Sequence, residues 1–282
     1  MLLNLSLEDY QKNKGPIVQG FIRAAKILFE NHIFTARDLP YNTQLIPLAA
    51  ILAALGDKIE NAGNKRKLMQ WYWCGVFGER FPNETRYALD LPQVVGWIED
   101  NGPEPKTVYD ANFSPSRLHT LRTRNSAAYK GIYALLMDDE IKDWLSATKI
   151  DVSTYFAEAI DIHHIFPVAR CVKHNIRKAD YNCIINKTPL SSRTNRIVGG
   201  QAPSKYLGRL QKHTGVSDKE FNKILESHIL TPGFLYTDDF EGFFNDRKEK
   251  LLQRIERAMN KSIPRGAVPV EDGTYIEEDA EE

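Results

Sequence analysis

The spacing of apolar residues in the first half of this chain commits it to helices. Ile17, Val18, Phe21, Ile22, Ala25, Ile27 and Leu28 recur three and four positions apart, as do Leu45, Ile46, Leu48, Ala49, Ile51, Leu52 and Leu55. That period lines one face of an α-helix. Gly56 predicts the end of the second helix. The aromatic run at 67–77 (KLMQWYWCGVF) reads as a core helix. Residues 126–137 read as a buried helix or strand.

The texture changes near Ile150. Residues 159–167 (AIDIHHIFP) have the short alternation of a strand stopped by Pro167, and 181–186 (YNCIIN) reads as a second strand that Asn186 closes. Residues 190–200 (LSSRTNRIVGG) describe a helix of about two turns, with Ser191 or Ser192 as N-cap and Gly199 as stop. More helices are expected from Pro203, over 221–229 and over 238–258. The expected fold class is therefore mainly α, with a small strand–strand–helix unit embedded after a helical N-terminal region.

Composition narrows the class of protein. With 42% hydrophobic and 26% charged residues, the 282-residue chain is able to bury a core. No stretch approaches the ~18 consecutive apolar residues of a membrane span, and the first leucines follow no basic segment. The expectation is a cytoplasmic protein without a membrane partner. Three cysteines with no CxxC pair point to buried thiols. The net charge of zero hides an uneven distribution. Between Asp161 and His213 ten Lys and Arg face two acids, whereas seven acids crowd the end from Glu271. Such a basic segment is what a phosphate backbone attracts, or else a solvated face.

His163 and His164 end the first predicted strand, Asn186 closes the second, and Asn195 lies in the helix nine residues later. Here the sequence resembles the HNH, or ββα-metal, nucleases. Their pattern sets a metal ligand beside a general-base histidine on the first strand, a bracing asparagine on the second, and a last ligand on the helix. The run through Gly199-Gly-Gln-Ala-Pro-Ser-Lys-Tyr-Leu further resembles the C-terminal nuclease half of GmrSD-like, modification-dependent restriction proteins. The ParB-like nucleotide-hydrolysing half of those proteins has no counterpart in this sequence, which also lacks a GxxxxGK[ST] loop. Residues 1–148 are similar to their connecting helical region, a candidate surface for a partner chain or a second copy. The resemblance implies an HNH nuclease motif over 149–215, with C-terminal helices packing on it over 216–263, while the mixture of Pro, Gly and acids over 264–282 predicts a disordered acidic tail. The stretch 165–185 is an insertion relative to the minimal motif.

The resemblance makes His164 the general base, Asn186 its brace, and His163 and Asn195 the ligands of one divalent ion, Mg²⁺ or alternatively Mn²⁺. Physical chemistry says why these residue types serve. An imidazole with an ordinary pKa of ~6.5 takes a proton from water near neutral pH. So sparse a ligand set leaves positions for water and phosphate oxygens, unlike a closed structural zinc site. Asn186 would hydrogen-bond the loop that orients His164. Arg193 and Arg196 would fork onto phosphates and Lys205 would add a point charge. Asp161 is an additional ligand or a structural carboxylate, and Arg122 and Arg124 form a solvated basic turn or touch DNA. Adjacent strand residues face opposite sides, so both histidines serve one phosphate only where the strand ends or bulges. The function expected is DNA endonuclease, RNA being an alternative substrate, in restriction of foreign or phage DNA. The alternatives are an inactive nucleic-acid-binding module with this fold and a helical scaffold with packed histidines.

Overall fold

The computed structural model describes residues 5–78, 84–99, 102–137 and 140–265. The expected acidic tail lies outside the described residues apart from 264–265. The chain opens with α1 (Leu7–Glu30), where the Ser6 hydroxyl accepts from the Asp9 N–H, and continues through α2 (Leu45–Leu55) and α3 (Ala62–Phe77). Helices α4 (Glu84–Glu99), α5 (Lys106–Asp110), α6 (Arg117–Thr120) and α7 (Ala127–Leu136) follow. Gly56 ends α2 with a positive φ of 54°. Gly20 lets α1 approach α2 closely, since a Cβ there would stand 2.1 Å from the Ala49 carbonyl oxygen.

The aromatic run is core on every side. Trp71 through Phe77 are all buried along α3, as a helix enclosed by its neighbours must be. The indole of Trp71 finds its partner inside, Nε1 donating to Asp90 at 3.1 Å. Residues 126–137 resolve to the helix α7.

The second half begins with α8 (Val152–Ala157) and β1 (Asp161–His164), then α9 (Val168–Lys173) and α10 (Lys178–Tyr181). A 3-10 turn, Ile184–Asn186, leads into β2 (Lys187–Leu190), and α11 (Ser192–Val198) follows directly. The end is helical: α12 (Pro203–Thr214), α13 (Asp218–Ser227), α14 (Pro232–Tyr236) and α15 (Phe240–Met259). The protein is mainly helical, and among the described residues β1 and β2 are its named strands, paired antiparallel with His163 opposite Thr188 and His164 opposite Lys187.

The second strand forms later in the chain than expected. Residues 181–186 turn rather than extend, because the Cys183 thiol and the Asn186 amide bond back to the Asp180 and Tyr181 carbonyls. Pro189 sits in the strand that forms instead. Ile165 donates to the Asn186 carbonyl, so the alternation of the ladder puts Pro189 in a non-hydrogen-bonded pair with Ile162, its nitrogen turned away from β1.

The main hydrophobic core runs from Ala24 through Trp71 and Ile184 to Ile263, with a smaller cluster of Tyr133, Met137, Ile141, Ile150 and Ile160 apart from it. Helix α15 crosses the main core, packing against α3 and against the 3-10 turn before β2. The three cysteines are buried free thiols. Among the described residues no helix is long and apolar enough to cross a membrane.

Candidate functional site

The strand–strand–helix unit is tied to the helical region through Asp143. Ser191 caps α11, its hydroxyl accepting from the Thr194 N–H at 3.1 Å. The Asp143 carboxylate accepts from the Ser191 N–H (3.0 Å) and the Thr194 hydroxyl (2.6 Å), and from the N–H groups of Leu145 and Ser146. Burial pushes its pKa up, but these hydrogen bonds outweigh that and hold it below the usual 3.8.

The chain leaves β1 at His164 and bends at once, and hydrogen bonds from both backbone and side chains hold that bend. Ile165 donates to the Asn186 carbonyl at 2.9 Å, and the Tyr206 hydroxyl on α12 donates to the Ile165 carbonyl at 2.8 Å. The fully buried Asn186 side chain accepts from the Phe166 N–H (2.8 Å) and donates to the carbonyls of Phe166 and Tyr181, each at 2.9 Å. Asn186 therefore stands one residue before β2 and braces the bend after His164, with every bonding direction of its amide in use except one acceptor lone pair.

His164 is half-buried, with Nε2 3.2 Å from the Asn182 amide oxygen. Burial first, and then the Lys187 ammonium across the sheet, hold its pKa below 6.5, while the Asn182 bond pulls the other way. Lys187 is itself buried, donating to the Arg122 carbonyl at 2.7 Å. Burial brings its pKa down to about 8.

His163, one residue before the end of β1 at His164, stands opposite Thr188. Its Nε2 is buried and has no hydrogen-bond partner among the described residues, and burial lowers its pKa below 6.5. A buried ring nitrogen without a protein partner suits a metal ion or a water molecule. Asn195 is half-buried in the middle of α11, and its side chain makes no hydrogen bond among the described residues. Both residues are therefore chemically fit to donate to a divalent ion. Among the described residues no three His, Cys, Asp or Glu side chains form a metal-binding group. Asp161 is occupied, pairing with Arg124 at 2.9 Å. Arg124 sits in a turn with its side chain part-exposed, yet it is engaged rather than free, 4.7 Å from the centroid of the Tyr133 ring.

The basic residues divide. Arg170 and Arg177 pair with Asp238 and Asp180, and Lys187 is internal. Arg196 and Lys205 are exposed and without ion-pair partners among the described residues. Arg193 is also exposed but lines a cavity of about 300 Å³ with Asp143, Glu158, Ser191 and His213, a cavity that neither His164 nor Asn195 borders. The structure thus joins His164 to Asn186 through the bend they share, and sets Arg193 apart from them. Sequence reasoning missed Asn182, Asp143 and Tyr206. Asn182 lay in plain view in Tyr181-Asn-Cys, where a second strand was expected.

No family model matches the chain. It is similar to the uncharacterized protein MJ0686 of Methanocaldococcus jannaschii, with 30% identity over 207 residues. The match takes in 70% of this chain and 34% of that protein, so the chain spans about a third of the length of the curated relative it matches.

Proposed function

We propose that the chain is a metal-dependent HNH-type endonuclease that hydrolyses DNA phosphodiester bonds, acting in restriction of foreign or phage DNA. The observation that carries the proposal is the bend after His164: a half-buried histidine, held neutral by its surroundings, ends the first strand of a strand–strand–helix unit, and Asn186 braces it. His164 would take a proton from a water molecule as that water attacks phosphorus. The P–O bond on the far side breaks, and the leaving oxygen collects a proton from solvent. A divalent ion, Mg²⁺ or Mn²⁺, held by His163 and Asn195 would supply charge stabilisation at the non-bridging oxygen and at the leaving oxygen. The buried, unpartnered Nε2 of His163 supports that assignment. Arg196 and Lys205, without acidic partners among the described residues, suit phosphates along the backbone, and Arg193 a phosphate further along.

The test is cleavage of supercoiled plasmid with Mg²⁺, Mn²⁺ or EDTA. The expected result is metal-dependent nicking or linearisation that EDTA stops and that falls at least about 100-fold in His164→Ala and in Asn195→Ala. DNA that is bound but left intact with every metal, whether unmodified plasmid or modified phage DNA, would overturn the proposal in favour of an inactive binding module.

A further inference from the structure

We infer that Asn182 is a positioning residue for His164: its amide oxygen accepts the Nε2 proton, so the neutral ring carries its lone pair on Nδ1 and presents that atom as the base. The role of base rests on the nuclease proposal above; the hydrogen bond and the tautomer do not.

An amide oxygen has no proton to give, so the 3.2 Å contact from His164 Nε2 to Asn182 Oδ1 is a bond only when Nε2 carries hydrogen. The other tautomer would set two lone pairs against each other. Nδ1 has no hydrogen-bond partner among the described residues, which leaves it available to a water molecule. The partner is also held still. The Asn182 N–H closes α10 on the Lys178 carbonyl at 3.0 Å, and the neighbouring Tyr181 carbonyl accepts from Asn186 Nδ2 at 2.9 Å. That same Nδ2 donates to Phe166, two residues beyond His164. A single buried amide therefore ties the backbone beside Asn182 to the backbone beside His164, fixing the distance between acceptor and ring. The segment between the strands thereby gains a job: it delivers Asn182, eighteen residues away in sequence, to the base. The outer partner that sets a histidine's tautomer typically affects activity by about 10–100-fold in comparable metal sites.

The test uses the full chain labelled with ¹⁵N-histidine, without added metal, and compares wild type with Asn182→Leu and Asn182→Asp by two-bond ¹H–¹⁵N correlation. Wild type and Asn182→Asp, which keeps an acceptor, should show His164 protonated on Nε2 alone. Asn182→Leu, which keeps the size and loses the acceptor, should show exchange between both tautomers. In the plasmid assay, Asn182→Leu should lose about 10–100-fold in kcat with KM within about twofold, and Asn182→Asp should recover most of it. Wild-type His164 protonated on Nδ1, or an Asn182→Leu spectrum identical to wild type in a chain whose urea midpoint shows it folded, would overturn the inference. The spectra decide even for a chain that cuts no DNA: the expected tautomers with no cleavage would sink the nuclease proposal and leave the Asn182 bond standing.

Discussion

At His164 two neighbours act on the ring in opposite senses, and their balance sets a pH dependence. Burial and the Lys187 ammonium disfavour the charged form, the Asn182 oxygen favours it, and the net direction is down from 6.5. A cation bound at His163 would push the same way. A base must be unprotonated to accept a proton, so activity should be lost as pH falls and should reach half its plateau below pH 6.5. Single-turnover cleavage between pH 5 and pH 8, a range of about 3 units around the histidine value, reads this directly; a rate that is flat across it, or a midpoint above 6.5, would remove His164 from the role. The residues of the candidate site are legible in the sequence to the extent that their signals are local. His163, His164, Asn186 and Asn195 follow one another at motif spacing, and Ser191 is recognisable as a cap from the helix it precedes. Asn182, Tyr206 and Asp143 act across 18, 41 and 51 residues, and nothing in their immediate sequence marks the partner. Arg124 likewise finds its acid, Asp161, on a strand distant in sequence.

Among the elements, α11 is the piece whose placement depends most on a group outside it. A seven-residue helix is too short to persist on its own, so its N-terminal end is held by Ser191 and, through Ser191 and Thr194, by the buried Asp143 carboxylate. Asp143→Ala leaves two hydrogen-bonding groups of α11's start and the N–H groups of Leu145 and Ser146 without their acceptor. The expected loss is about 3 kcal/mol at neutral pH, against about 1 kcal/mol for Ser191→Ala, which removes the cap alone. Urea unfolding of the two variants separates these values, and an Asp143→Ala cost under about 1 kcal/mol would mean α11 is anchored elsewhere. The helices were the elements best seen in sequence, because period and caps agree along each: Gly56 and Gly199 stop them where expected. The second strand was not, since Ile184 and Ile185 look like strand while the side chains around them turn the chain, and Pro189 looks like a breaker while the ladder needs no N–H from it.

For the whole molecule the question is what holds the strand–strand–helix unit against the helices on either side. The hydrophobic core crosses both of the boundaries that the sequence suggested, near 148 and near 215, because apolar periodicity shows which faces are buried but not against what. The polar half of that junction gathers at His228. Its ring is fully buried, accepting from the Thr188 hydroxyl on β2 at 2.8 Å and donating to the Lys142 carbonyl at 2.7 Å. Both bonds use the neutral ring, and Arg247, fully buried with Nε and Nη1 unpartnered among the described residues, stands nearby as a positive charge. Burial foremost, with Arg247 adding to it, lowers the His228 pKa to about 3. The sign follows. Below 6.5 the unfolded chain takes up a proton at this residue and the folded chain does not until about pH 3, so stability falls as pH falls through that window. Each unit costs about 1.4 kcal/mol from this histidine alone. Asp143, whose folded pKa is also depressed, adds to the loss only below its unfolded value of 3.8. Unfolding free energies from urea titrations at pH 6 and 5, about one unit apart, should therefore fall more steeply in wild type than in His228→Gln, which donates to the Lys142 carbonyl without titrating. The difference should approach about 1.4 kcal/mol for that unit. His119, His163 and His164, lowered in the same direction, remain in both proteins and cancel. Equal slopes would mean that His228 is protonated in the fold, and with it that the junction between β2 and the helical region is wet rather than closed.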